Sequence, residues 1–428
     1  MISIIVVIYL VRVAISLQHI LRDPLPHPAD AILLSIFFYN APLALISIYN
    51  LEWLFPEYKV FLNAESRDSY LAEKTMIICF VSMIGLEIGR RLFFKYKVSE
   101  RYIVMDNSFS NVSFIAIIAM SSIILSAAYA MGFSNYFVGY NIDTNVFNVS
   151  DYIAFIYFCI EAVGIFFLFA FVHKKFGNRN FTLIVLFILI SYIVFMALAR
   201  GKRLELVVAL LPLMLLFWSV KLRSVSTRMF VAVGFLLAFS SLASLRFGEI
   251  PTLSALFFNS FSEGLYAGHM TPGVINAIDY QGMRPELGAR FGIGFLAIIP
   301  RFMFPGKDQI VYQSITDITE FTPLGATSLL GEIYLQGGTL FVLLAFMGFG
   351  FLSRLFEVDR LYEKGNKYFP LKSVYYLIFM GTFLFHFRDG IVVMVKLTLQ
   401  MVIVVSLFRV FLSHQMRNVQ RTQTPGSN

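Results

Sequence analysis

Two short runs in this sequence carry residue types and spacings that could do chemistry, and both lie between Arg246 and Gly338. The first is Ile299-Pro300-Arg301-Phe302-Met303-Phe304-Pro305-Gly306-Lys307. The prolines on either side of Arg301 break any helix there, and Gly306 permits a tight turn. Arg301 and Lys307 therefore stand on irregular backbone beside a short apolar segment. Arginine supplies a planar fork of donors and lysine a point charge, which suits a phosphate or pyrophosphate. An interfacial loop held against lipid headgroups uses the same residue types. The second run leads from Pro323 through Gly325, Thr327 and Ser328 to Glu332, Tyr334, Gly337 and Gly338. Its small and hydroxyl residues open an apolar span, and the unpaired N–H groups of a helix start can hold an anion. Glu332 lies about one turn inside. A carboxylate there could accept a proton from a hydroxyl, or interact with its own helix dipole or with an arginine. Gly337 and Gly338 are read as points of close helix packing. His269, in YAGHMTP, could act as a base near neutral pH, although a lone histidine is usually structural.

These residues need elements that position them, and composition says which kind. Of 428 residues, 58% are hydrophobic and only 14% charged, with a mean hydropathy of +0.74. Soluble domains carry about 25% charged residues. Repeated long apolar runs complete the pattern of an all-α polytopic membrane protein. The expectation is a single integral membrane domain over 1–428, with no soluble domain large enough to fold alone. The net charge of +8 does not argue for nucleic acid, because short interhelical loops hold most of the basic residues. Cys79 and Cys159 fall in different apolar runs and read as small buried hydrophobes. HExxH, paired-His, Walker and GxSxG patterns are absent, so no metal and no nucleotide cofactor is expected. Any donor would arrive already activated.

Runs long enough to cross a bilayer are Ile2–Gln18, Ala31–Tyr49, Met76–Lys95, Ser113–Phe133, Tyr152–Val172, Phe181–Leu198, Leu204–Val220, Met229–Leu245, Ile333–Leu352, Leu371–Phe387 and Ile391–Leu412. That predicts about eleven spans, within a range of roughly ten to twelve. The first reads as a span rather than a cleaved signal, because no basic segment and small-residue cleavage site frame it. Leu253–Leu265 and Gly292–Phe304 are too short to cross and read as interfacial or re-entrant segments within a large late loop, 247–331.

Basic clusters at Arg90–Arg101, Lys174–Arg179, Lys221–Arg228, Arg354–Lys372 and Arg417–Arg421 fall on alternate loops, so that face should be cytoplasmic. The late loop then lies on the opposite face. Two connections break the bias. Arg200, Lys202 and Arg203 crowd one outer turn, and Arg388 and Asp389 another. Lys202 reads as a snorkelling side chain. Arg200 with Arg203 reads either as a site for an anion or as snorkelling to headgroups or an interhelical ion pair.

The outward ARGKR turn, the SLRFGE exit, the IPRFMFPGKD element and the GATSLLGEIYLQGG start of the next span come in an order that resembles the O-antigen polymerase family, the Wzy-type oligosaccharide repeat-unit polymerases. The resemblance covers roughly Ala199 to Gly338. It implies a GT-C-like enzyme of the bacterial inner membrane, multi-pass, with its active face periplasmic. Such an enzyme moves a growing glycan from undecaprenyl pyrophosphate onto a lipid-linked repeat unit, by inverting and metal-independent transfer. A flippase and a chain-length regulator are partners the family implies, beside the undecaprenyl-pyrophosphate-linked oligosaccharide and membrane lipid. In that frame Arg246, Arg290, Arg301 and Lys307, with Arg200 and Arg203 facing them, form a cradle for the departing pyrophosphate. Fixed guanidinium groups in a dry cavity oppose the developing charge, and losing one typically costs about 100- to 1,000-fold in rate. Glu332 is the first candidate base, with Glu249, Glu263 and His269 behind it.

Two other functions fit a membrane chain of this kind. An O-antigen ligase would use the same carrier and pass finished glycan to lipid A core. A transporter or flippase for an anionic lipid-linked solute often shows two related halves with matching broken spans. No internal repeat is visible here, and the polar residues gather on one face.

Overall fold

The fold is that of a computed structural model. It describes residues 2–54, 68–92, 102–104, 215, 218, 224–246, 261–262, 264–299, 303–319, 321, 327–358, 361, 368–383, 387, 390–396, 398–400, 402–403 and 406. The expected spans Ser113–Phe133, Tyr152–Val172, Phe181–Leu198 and most of Leu204–Val220 lie outside the described residues.

Those residues are mostly helical. In chain order the helices are α1 (Ile2–Arg22), α2 (Pro28–Ile48), α3 (Ser69–Leu92), α4 (Val225–Arg246), α5 (Met270–Asp279), α6 (Ala289–Leu296), α7 (Lys307–Thr319), α8 (Leu329–Phe356) and α9 (Leu371–Ile378). Among the described residues, α1, α2 and α8 are long and apolar enough to cross a membrane. A 21-residue helix such as α1 rises about 32 Å, close to the hydrocarbon thickness of a bilayer. Helix α3 is longer, at 24 residues, but carries Glu73, Lys74, Glu87, Arg90 and Arg91.

The chain divides into two compact units. The smaller, Glu100–Met214 with Leu361–Ile378 and Leu397–Asn428, contains a short antiparallel pair of strands, β1 (Tyr102–Val104) and β2 (Tyr368–Pro370), in which Ile103 pairs with Phe369. Helix α9 follows β2 directly. The larger unit, Met1–Ser99 with Leu215–Arg360 and Phe379–Lys396, holds α1 to α8.

Local sequence explains where the helices of the larger unit begin. His27 caps α2, its Nδ1 accepting the Ala29 N–H at 3.2 Å, and Pro28 occupies the first position, where its missing N–H costs nothing. Asp68 caps α3 by accepting the Tyr70 N–H at 2.8 Å. Arg228 donates to the carbonyls of Leu21 (3.0 Å) and Asp23, covering acceptors that the C-terminus of α1 leaves open.

Helices α1, α2 and α3 form an up-down-up layer, and α8 lies parallel to α3. Gly85, Gly89 and Gly350 let the last two touch backbone to backbone. A Cβ on Gly89 would stand 2.0 Å from the Met347 carbonyl oxygen. Small residues are the usual means of close approach where lipid supplies no hydrophobic drive between helices. Arg12, in the middle of α1, would be costly there without partners. It donates to Glu87 on α3 (2.9 Å) and Asp30 on α2 (3.0 Å), and Ser16 adds a bond to Asp30 at 2.7 Å. At that end His27 pairs with Glu357 at 2.8 Å. Burial alone would raise the Glu357 carboxyl, but His27 and Arg354 draw it down to about 2.

Candidate functional site

The late loop is helical over much of its described length, with an irregular stretch at 280–288, and it packs onto α2, α3 and α8. Residues 264–268 run along α2, with Gly264 against the Phe38 carbonyl, where a Cβ would come within 2.2 Å, and α5 packs on α8 and α3. Thr271 and Ser328 both donate to the Asn40 Oδ1, at 2.7 and 2.6 Å, so three elements meet on one buried amide. Ser328 also caps α8, as its hydroxyl accepts the Gly331 N–H. The small and hydroxyl residues read as a helix start do start one.

Helix α8 then breaks at Gly337 and Gly338. Gly338 has φ 65° and ψ −157°, a region open to glycine alone, so this pair interrupts the helix rather than packing it against a neighbour. The break frees the Leu335 and Gln336 carbonyls, which accept the N–H groups of Glu286 (3.1 Å) and Leu287 (2.8 Å). That clamps the approach to α6 onto α8.

Arg290, on α6, is 2% exposed. Its guanidinium pairs with Glu286 one turn back, at 2.7 and 3.0 Å, and donates to the Ser314 carbonyl and hydroxyl on α7. Gln336 joins the same group, its Nε2 donating to Glu286 at 2.9 Å. Lys307 opens α7 and donates to the Ala297 carbonyl at 3.2 Å, the C-cap of α6. A cation at a helix C-terminus complements the dipole. Both cations thus bind α6 and α7 to each other.

Glu332 is 2% exposed, and its carboxylate accepts the Ile391 N–H at 2.6 Å. It crowns the N-terminus of the helical residues 390–396, where a negative charge opposes the partial positive charge. Gly390 has φ 84°, and a Cβ on it would lie 2.0 Å from Glu332 Oε1. His269 is fully buried, and burial lowers its imidazole to about 4, so it is neutral at physiological pH.

A second group lies where α5 ends. Asp279 Oδ2 pairs with Lys74 of α3, while Tyr334 of α8 donates its hydroxyl to Oδ1 at 3.2 Å. The Lys74 ammonium stands 5.8 Å from the centroid of the Tyr334 ring. Asp279 and Lys74 each keep 24% of their side-chain surface open. Tyr70 and Tyr280 stack edge to face beside them, with centroids 5.9 Å apart.

Of the residues expected to act, Glu332, Arg290, His269 and Lys307 fall in this packed region. Arg200, Arg203, Glu249, Glu263 and Arg301 lie outside the described residues, and Arg246 is described only as the last residue of α4. Lys74, Glu286 and Gln336 escape the sequence reading, and it gives Asp279 and Tyr334 no role. The Glu286–Arg290 spacing is that of a helical ion pair and was available as a signal. Nothing local ties Lys74 to Asp279, which are 205 residues apart. Comparison with known proteins yields no matching family model, no matching curated protein and no matching solved structure.

Proposed function

We propose that the chain is an inner-membrane polysaccharide polymerase. It transfers a growing glycan from undecaprenyl pyrophosphate onto a lipid-linked repeat unit at the periplasmic face. The ordered motifs from Ala199 to Gly338 support this reading. The observation that carries it furthest is a gathering of fixed charge on one end of the bundle. Lys74, Asp279 and Tyr334 come from three helices, and Glu286, Arg290 and Gln336 follow them along α8. Glycosyl transfer from a pyrophosphate carrier needs groups of this kind, held still before the reaction starts.

The anchoring of Arg290 and Lys307 between α6 and α7 moves the weight of the cradle onto Arg301, which lies between them in the chain, and onto Arg246, Arg200 and Arg203. The test is a polymerisation assay. Purified protein is mixed with its matched undecaprenyl-pyrophosphate repeat unit, with chelator and without nucleotide, and the products are run on a gel. A ladder from the wild type that Arg301→Ala loses supports the proposal. In cells, deletion of the gene should leave a single repeat on lipid A core. Polymer stranded on the carrier would instead identify a ligase.

A further inference from the structure

We infer that Asp279 is the group that takes the proton of the acceptor hydroxyl, with Tyr334 and Lys74 positioning its carboxylate. The inference rests on the polymerase reading above and names the base of that site.

A general base has to reach the hydroxyl it deprotonates and hold a fixed orientation toward it. Glu332, His269 and Glu286 each fail one condition or the other. Glu332 is 2% exposed and pressed against Gly390 so closely that even a methyl group would overlap its Oε1, so a sugar hydroxyl has no room there. His269 has no exposed surface. Glu286 faces Arg290 with both oxygens and Gln336 with one.

Asp279 meets both conditions. It is the last residue of α5, with its side chain 24% exposed. Oδ1 receives the Tyr334 hydroxyl at 3.2 Å, and Oδ2 receives Lys74 and a longer approach of the same hydroxyl at 3.5 Å. A carboxylate oxygen accepts two hydrogen bonds, so Oδ1 keeps a place for a further donor. The two donors stand on α8 and α3, so three helices fix the carboxylate plane, and two exposed tyrosine rings border the opening.

The step balances as follows. The acceptor hydroxyl oxygen forms a bond to the anomeric carbon of the donor sugar. The bond from that carbon to the pyrophosphate oxygen breaks, and its electron pair leaves with undecaprenyl pyrophosphate. The hydroxyl proton passes to an oxygen of Asp279 and from there to water. Lys74 balances the carboxylate charge before transfer, and Tyr334 holds Oδ1 in place.

The test uses the full chain in lipid nanodiscs with its lipid-linked repeat unit as donor and acceptor. Asp279→Asn keeps the shape and removes the base, and its rate should fall by about 100-fold or more. Asp279→Glu should recover part of that loss. Tyr334→Phe should lower kcat by about tenfold with KM unchanged, the mark of a positioning residue. A wild-type ladder that Asp279→Asn builds within threefold of the normal rate overturns the assignment and leaves the polymerase reading intact. A wild type that builds no ladder overturns the polymerase reading, and this inference with it. Should Asp279→Asn not fold, Tyr334→Phe decides: an unchanged kcat overturns the assignment, and a tenfold fall upholds it.

Discussion

Replacing Gly390 by alanine should destabilise the larger unit by about 3–4 kcal/mol, and the structure says where that energy comes from. Gly390 sits at φ 84°, and a non-glycine residue pays about 1–2 kcal/mol in the left-handed region. The added Cβ would lie 2.0 Å from Glu332 Oε1 and 2.7 Å from its Cδ. Something has to move. If the backbone shifts, overpacking costs about 1–3 kcal/mol. If the carboxylate shifts, it gives up the buried bond to the Ile391 N–H, and a hydrogen bond to a charged group is worth about 1.5–3 kcal/mol. Only one of these is paid, so the second contribution is about 2 kcal/mol. The assay is unfolding by titration with sodium dodecyl sulfate from mixed micelles, followed by tryptophan fluorescence. The decisive measurement is a double-mutant cycle with Glu332→Ala. Removing the carboxylate vacates the space the new methyl needs, so the double variant should be more stable than the sum of the single effects by about 2 kcal/mol. A Gly390→Ala protein within about 0.5 kcal/mol of wild type, or strictly additive variants, would refute the contact between these two residues.

Four further outcomes follow from other contacts. Arg290→Met should cost about 2–3 kcal/mol in the same titration, because it takes a charged donor from the partly buried Glu286 carboxylate and from the Ser314 carbonyl. Activity lost in that variant would therefore report folding before it reported pyrophosphate binding. His269 has its imidazole lowered to about 4 from an ordinary 6.5, so the unfolded chain takes up a proton that the folded chain refuses. That contribution is intact above pH 6.5, declines as pH falls toward 4, and totals about 3 kcal/mol, a slope that His269→Gln should remove from a pH series of unfolding titrations. Glu357, held at about 2, contributes stability above pH 4.5 that is lost as pH falls toward 2. Solvent screening limits it to about 1 kcal/mol, readable as the difference between wild type and Glu357→Gln across that window. Gly89→Val should separate α3 from α8, since its side chain would begin 2.0 Å from the Met347 carbonyl, and the variant should migrate as misfolded protein in size-exclusion chromatography.

The resemblance and the geometry bear on different residues. The motifs that suggest a polymerase centre on Arg301 and on the turn at Arg200 and Arg203. The described structure shows how the late loop is fixed: α6 and α7 are pinned by Arg290 and Lys307, and α8 is broken at Gly338 so that residues 286–287 can dock on it. A cation tied to a backbone carbonyl or to a carboxylate of its own fold is less available to a ligand. Of the six basic residues assigned to a cradle on sequence grounds, Arg290 and Lys307 therefore shape the loop.

The sequence by itself determined the class of the protein and the ends of several elements. Twenty or so apolar residues in a row make a helix in lipid whatever their neighbours, since every backbone group has to be satisfied within the segment. The runs at Ile2, Ala31 and Ile333 accordingly fall in α1, α2 and α8, the described helices long and apolar enough to span, and those at Met76 and Met229 fall in α3 and α4. Ser328 and Pro305 acted where local chemistry said they would, because a cap and a helix break depend only on adjacent residues. The roles of the charged residues were another matter. Whether Glu332 faces a substrate or a helix start depends on Ile391, and whether Asp279 stands free or in a fixed cluster depends on Lys74 and Tyr334. Those partners are 59, 205 and 55 positions away, and no periodicity or motif encodes them. Only the packing of α3, α5 and residues 390–396 against α8 brings them together, and it leaves the Asp279 carboxylate partly exposed.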